Sequence, residues 1–388
     1  MPARRPRPRW GLAVAAAFVL TACGDSSTGP QAHLSDPSGL STDLQSITAV
    51  LTSPTFQSFS ALGFASGSPV AAPTPAGTLL RAAPIAPPRS VAAPYANGRV
   101  QVEALRRLTT SFKSGINASV VPPALLGHTF TWDVATHAYI DDAAYTPAAP
   151  SDRARIILYA VDPITGDIVE SPLTAVGFVD LIDESTTSPA VDKLHTIVAG
   201  GSPTTPGTEY VNYTVSAQVT GNPVTAFTAS ASGSVTDGTN TLTFSATYAV
   251  TQVDTDNPDV AIDVTWALSD PAIQVELHET LTLSDADHLT VTIAEFSITR
   301  GGESVSMHGT ISSVLSIESF TINLTIDVND VPWVRITGTD AAVSIRHADG
   351  SQLSAAEAQA FIDFFTLWGS SDFTMGILFG APGTLMGA

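Results

Sequence analysis

Apolar and polar residues alternate along much of the second half of the chain, from about residue 208 to residue 328. This period of two is typical of a β-strand that packs one face on a core and turns the other to water. Apolar members of the clearest runs are Val211, Tyr213, Val215, Leu242, Phe244, Ala246, Ile262, Val264, Trp266, Ile322, Leu324 and Ile326. Turn-forming pairs such as Asp237-Gly238 and Gly301-Gly302 separate the runs, so we expect a meander of antiparallel strands.

The alternation slips by one residue near Ala294 and Glu295. Val291 and Ile293 lie in one phase, whereas Phe296 and Ile298 lie in the other. One extra residue in one strand of an antiparallel pair is a β-bulge, and it bends the strand. We therefore predict a bulge at this point and a curved sheet.

Shorter segments of strand character precede the alternating region, at 123–140, 153–170, 176–183 and 193–200. Together they predict a mainly β domain over residues 99–388, built as a large antiparallel β-meander. Because the apolar face of such a sheet must be covered, the sheet is expected to be a curved sheet, a half-barrel or a closed barrel.

A helix at 354–368 is the predicted cover for this face. Ser354 and Glu357 have the spacing of a capping box, which starts a helix. The apolar stripe that follows consists of Ala358, Phe361, Ile362, Phe365 and Trp368. A stripe this wide favours burial on most sides of the helix.

Helical spacing also appears near the N-terminus, where it predicts a pair of helices within 39–64. Leu40, Leu44 and Ile47 share one face of the first helix, and Ser53-Pro54 is typical of the start of the second. Residues 65–98 are rich in proline and alanine without periodicity, which indicates a linker.

The first 22 residues have the features of a secretory signal. Four arginines precede the uncharged stretch "GLAVAAAFVL", which is too short to span a bilayer. The following Leu20, Thr21, Ala22 and Cys23 resemble the lipobox of bacterial lipoproteins. That resemblance implies cleavage between Ala22 and Cys23, acylation of Cys23, and attachment to the inner or outer membrane of a bacterial envelope, facing the periplasm or the exterior. Residues 23–38 would be a polar spacer.

Composition limits the partners of the mature chain. Removing the four arginines of the signal leaves 12 basic against 36 acidic residues, so nucleic-acid binding is not expected. Hydrophobic residues make up 44% of the chain, enough for a sizeable core. Cys23 is the single cysteine, which excludes internal disulfides.

A long meander around apolar helices looks like the half-barrel of periplasmic lipoprotein carriers, although the likeness is architectural and rests on no motif. It implies a hydrophobic ligand held in a cavity. The residues expected to line such a cavity are Phe361, Phe365, Trp368, Trp266 and Tyr248. Simple core packing of the same residues is the alternative.

No sequence motif predicts an enzyme or a cofactor. "LHETL" at 277–281 lacks the second histidine of a zinc protease, and "GESVS" at 302–306 lacks the final glycine of a nucleophile elbow. The function expected is therefore binding or structural, with a carrier as the alternative and a hydrolase third.

Two weak metal candidates remain. Asp254, Asp256 and Asp259 share one acidic turn, and clustered carboxylates suit calcium. His278, His288 and His308 fall on neighbouring predicted strands, with His278 and His308 on the polar face, where a metal pair is conceivable. A solvated turn and chance proximity are the competing interpretations.

Overall fold

The computed structural model describes residues 32–50, 120–162, 165, 167–253, 255–317 and 319–368. Its strands are β1 (Thr129–Asp133), β2 (Ala138–Asp141), β3 (Arg153–Tyr159), β4 (Ala175–Asp183), β5 (Thr186–Thr187), β6 (Ala190–Ser202), β7 (Thr205–Thr220), β8 (Ala226–Thr236), β9 (Thr241–Thr251), β10 (Asp259–Leu268), β11 (Ile273–Leu283), β12 (His288–Arg300), β13 (Glu303–Val314), β14 (Ser319–Val328), β15 (Val331–Thr339) and β16 (Ala342–His347). These strands form one curved sheet that does not close into a barrel.

Each strand from β6 to β16 pairs antiparallel with the next one along the chain. The predicted mainly β class and the predicted meander are therefore confirmed. The tight turns explain why consecutive strands pair, because these turns contain residues that adopt the left-handed backbone conformation. Gly301 and Gly302 between β12 and β13 both have positive φ, as do Asn329 and Asp330 between β14 and β15.

The expectation that consecutive strands pair antiparallel is wrong at one point. β3 lies beside β1 and parallel to it, with Thr129 opposite Arg155 and Phe130 opposite Ile156. The β1–β2 hairpin occupies the end of the sheet, so the chain returns past β2 to place β3 on the far side of β1. The backbone N–H of Arg155 donates to the carbonyl of His128 (3.0 Å) at this junction.

The predicted bulge is present in β12. Its register against both neighbours shifts between Ile293 and Phe296, where Ala294 and Glu295 accommodate one extra residue. Ile293 and Phe296 are both buried on the same face, and the two residues between them are exposed. The bulge thus allows β12 to keep an apolar face on both sides of the irregularity.

Two α-helices and one short 3-10 helix (Pro123–Leu125) are described. Helix α1 (Pro37–Val50) confirms the first member of the predicted pair. Helix α2 covers 355–368 and confirms the C-terminal prediction. In its capping box the backbone N–H of Ser354 donates to Glu357 Oε2 (2.8 Å), and the N–H of Glu357 donates to Ser354 Oγ (3.3 Å).

Several predicted segments lie outside the described residues: the signal peptide with Cys23, most of the spacer, the second helix of the pair and the proline-rich linker. Within the described part of the chain, no helix combines the length and apolarity needed to cross a bilayer.

Both helices contribute to one hydrophobic cluster with the sheet. We call the face of the sheet that carries Trp266, Leu277 and Phe296 the inner face, and the opposite one the outer face. The rings of Phe296 and Phe364 pack edge-on, with their centroids 4.8 Å apart, which places α2 on the inner face. Buried helix residues of the cluster are Leu40, Leu44, Ile47, Phe361, Phe364, Phe365 and Trp368.

Long-range polar contacts hold α1 in place. Arg300, at the end of β12, donates to Asp43 Oδ2 (2.6 Å) and to the carbonyl oxygen of Asp36 (2.9 Å). The backbone N–H of Ser35 donates to Glu303 Oε1 (2.7 Å). Ser41 Oγ donates to Asp363 and so links α1 directly to α2.

Candidate functional site

The residues predicted to line a cavity lie together on the inner side of the sheet. Phe361, Phe365, Trp368 and Trp266 are each at most 6% exposed, and all four belong to the main hydrophobic cluster. The ring centroid of Phe365 lies 4.7 Å from that of Phe361 and 5.7 Å from that of Trp368. Tyr248 is half-buried at the margin of the cluster. Whether any of these side chains contacts a ligand stays a prediction.

One polar group reaches into this apolar surface from the sheet. Glu279 lies on β11 and accepts a hydrogen bond from the indole Nε1 of Trp368 (3.1 Å). The contact orients Trp368 and gives its indole N–H the hydrogen-bond acceptor that a buried tryptophan requires. Ile362 differs from the predicted stripe, because it points away from the sheet and is 44% exposed.

The outer face carries a second group of functional residue types. Glu276 and His278 lie on β11 with one residue between them, and Glu295 lies opposite His278 on β12. One potential ligand atom from each residue lies within 4.8 Å of the ligand atoms of the other two. These are the nitrogen and oxygen donors that a divalent metal ion prefers.

Neighbouring polar groups orient two members of this cluster. His278 Nδ1 lies 2.6 Å from Asp263 Oδ1 on β10, and Gln274 Nε2 donates to Glu276 Oε1 (2.7 Å). Sequence reasoning identified His278 but missed both glutamates. The spacing of Glu276 and His278 on one strand face was a signal, whereas the position of Glu295 depends on the bulge.

The three histidines that were weighed as a weak metal candidate, against chance proximity, are separated in the structure. His278 lies on β11 and His308 on β13, with β12 between them, and His288 begins β12 at its far end. His308 pairs with Asp327 (3.4 Å) and His288 with Asp285 (2.8 Å). The hydrogen bond that the exposed His288 donates to Asp285 raises the pKa of this histidine.

The acidic turn that was weighed as a weak calcium candidate is only partly described. Asp254 lies outside the described residues, and Asp256 is in the turn before β10. Asp259 is the first residue of β10, where its Oδ2 accepts a hydrogen bond from Gln252 Nε2 (2.7 Å). The carboxylate of Asp259 is thus already engaged by a side chain of this chain.

Two buried aspartates near the start of the sheet have opposite surroundings. Asp180 Oδ1 accepts from Arg155 Nε (2.6 Å) and its Oδ2 from Arg155 Nη2 (2.8 Å), while Arg153 Nη1 adds a third contact (3.2 Å). Asp192 is 1% exposed, and within the described residues neither of its oxygens has a hydrogen-bond partner. Burial, with a smaller effect of nearby Asp183, raises the pKa of Asp192 to about 7.

The two sequence segments that nearly match enzyme motifs lie in or beside strands. "LHETL" lies within β11, where the helical spacing of a zinc protease cannot occur, and "GESVS" leads into β13 without the strand-to-helix turn of a nucleophile elbow. Comparison with protein-family models, with curated proteins and with solved structures found no match.

Proposed function

We propose that this chain is a lipid-anchored protein of a bacterial cell envelope whose β domain has a binding or structural role and no catalytic one. The observation that carries the anchoring is the order of the N-terminal sequence: arginines, a short apolar stretch, and then Leu20 to Cys23. Two or more acyl chains hold a protein on a membrane stably, so an acylated Cys23 is a sufficient tether.

Packing of the inner face supports the structural role. The aromatic side chains of α2 contact each other and Phe296, and the indole of Trp368 has a partner in Glu279. A carrier would leave such side chains facing a ligand space, whereas a structural domain uses them as core. Burial of Phe361, Phe365 and Trp266 in one cluster favours the second arrangement.

The anchor is tested by labelling bacteria that express the full chain with radioactive palmitate and then separating membranes from soluble protein. Wild type should take up label and remain with the membranes, while Cys23→Ser should be unlabelled and keep its signal peptide. Ser26→Ala, three residues beyond the lipobox, is the matched control and should behave like wild type. Equal cleavage and equal release of wild type and Cys23→Ser would overturn the anchor.

Native mass spectrometry of the protein purified from the envelope distinguishes the two roles of the domain. The structural role predicts the mass of the acylated polypeptide alone after detergent is removed. A lipid retained at one molecule per chain, and displaced by Phe365→Trp, would instead establish a carrier that binds its cargo on the inner face.

A further inference from the structure

We infer that Glu276, His278 and Glu295 form a zinc-binding site on the outer face of the sheet, at the bulge of β12. The site lies on the face of the sheet opposite the helices, and the inference does not depend on the membrane anchor. Each residue provides one ligand atom, and the three atoms lie within 4.8 Å of one another. Ligand atoms around a tetrahedral zinc ion are about 3.4 Å apart, and rotation of the half-buried Glu276 and exposed Glu295 side chains would bring the three atoms to this spacing.

The bulge is what brings the third ligand to this face. Ile293 and Phe296 both point to the inner face, so in an unbroken strand Glu295 would share the phase of Ile293 and point inward. With the extra residue, Glu295 points to solvent directly opposite His278. Bulges commonly redirect a side chain next to a functional site.

Asp263 prepares His278 for metal binding. Its Oδ1 lies 2.6 Å from Nδ1 of the imidazole. When Nδ1 donates to this carboxylate, the lone pair of the ring is on Nε2, the atom left to bind a metal. A carboxylate behind a ligating histidine is the usual arrangement around protein-bound zinc, and it fixes both tautomer and ring orientation.

The charge of the site favours a divalent cation. Glu276, Glu295 and Asp263 contribute three carboxylates, and within the described residues neither glutamate forms a salt bridge with lysine or arginine. The chain as a whole is strongly acidic. A metal ion would therefore relieve repulsion among these groups, as well as making new bonds.

The donor set points to zinc over calcium. Calcium takes six to eight oxygen ligands, whereas one imidazole nitrogen and two carboxylates suit zinc. Three protein ligands leave a fourth tetrahedral position open for water or for a ligand atom of another molecule. The site is thus suited to exchangeable binding at a surface.

Isothermal titration calorimetry tests the site, with zinc chloride titrated into the purified full-length chain. Cys23→Ser is present in every sample so that the thiol binds no zinc. We expect one zinc ion per chain, with at least tenfold weaker binding in His278→Ala and in Glu295→Gln. Asp263→Asn should weaken binding about tenfold, since partners behind a ligand typically contribute 10–100-fold.

His288→Ala is the matched control, because it removes another exposed histidine that is paired with an aspartate on the same sheet. It should bind zinc like the parent protein. Binding weaker than about 1 mM in the parent protein would overturn the inference. Equal affinity of the parent and His278→Ala would do the same, as would tight calcium binding that His278→Ala leaves unchanged.

Discussion

The two parts of the sheet bury their side chains differently. In the meander from β7 to β14, residues mostly alternate between a buried inner face and a more exposed outer face, and β10 is the clearest example. In β3, by contrast, six of seven residues are buried, because the chain covers both faces of this strand. Arg155 and Asp180 are consequently buried on the face of β3 and β4 that is exposed elsewhere in the sheet.

This difference determines how each part is stabilised. The meander relies on apolar contact with α1 and α2 on a single face, so most of its polar groups remain hydrated. Strands β3 and β4 enclose charged groups, which are stable only where partners replace water. Asp180 has such partners, whereas Asp192 on β6 has none among the described residues. Substitutions at these two positions should therefore affect stability in different ways.

Breaking the buried ion pair should have the largest effect. Arg155→Met leaves Asp180 buried with only the longer contact to Arg153, and loss of one partner of a buried pair costs about 3–5 kcal/mol. The free energy of unfolding in urea measures this loss. Arg346→Met, at an exposed position, should change stability by less than about 0.5 kcal/mol.

The pair of substitutions Arg155→Met and Asp180→Leu sharpens this test. If the cost comes from an uncompensated charge, the double variant should be more stable than Arg155→Met alone. A double variant that is less stable than either single one would show that the contact of the Arg155 guanidinium with the Phe178 ring, whose centroid lies 4.8 Å from Cζ, matters more than the uncompensated charge.

Removing one aromatic ring from the helix–sheet contact should have the next largest effect. Phe364 is fully buried against Phe296, so Phe364→Ala is expected to destabilise the protein by about 3 kcal/mol through lost contact and a residual cavity. Ile362→Ala on the same helix is the control, and it should cost much less because Ile362 is largely exposed. Equal losses in urea unfolding would contradict the observed orientation of α2.

Asp192 should give stability a specific dependence on pH. Its pKa is raised from 3.8 to about 7 in the folded state, so the folded protein holds a proton that the unfolded chain releases between these values. Its contribution to stability is therefore present below about pH 4 and is lost as pH rises toward 7. From about pH 5 to pH 7.5 the loss is about 2 kcal/mol.

Asp192→Asn removes this titration while keeping the shape of the side chain. Relative to wild type, the variant should gain about 2 kcal/mol between about pH 5 and pH 7.5, measured by urea unfolding at each pH. A constant difference between the two proteins over this range would mean that Asp192 titrates normally in the folded state.

The smallest expected effect is at the start of α2. Ser354→Ala removes the side-chain acceptor for the N–H of Glu357 and should cost about 1 kcal/mol. Thermal unfolding compares it with Ser351→Ala, which lies outside the capping box. If Ser354→Ala and Ser351→Ala melt at the same temperature, the cap contributes nothing to stability.

The meander and its bulge could be predicted because one face of each strand is hydrated, so the sequence alternates and a slip at Ala294 is visible. No such signal exists in β3, where "RARIILY" is buried on both sides and the partner of Arg155 lies 25 residues away. The three residues proposed to bind zinc were predictable only in part, since the approach of Glu295 to His278 depends on strand register, which local sequence does not encode.

The contacts of α1 also determine the order of events during folding. The hydrogen bond from Ser35 to Glu303 spans 268 residues, so α1 cannot dock until β12 and β13 have been synthesised. At about 5–20 residues per second, that interval is on the order of 10–50 s. During this time the apolar face of Leu40, Leu44 and Ile47 has no sheet to cover it. Among the described elements, α1 therefore keeps an apolar face uncovered until late in folding, which is the kind of surface that chaperones protect.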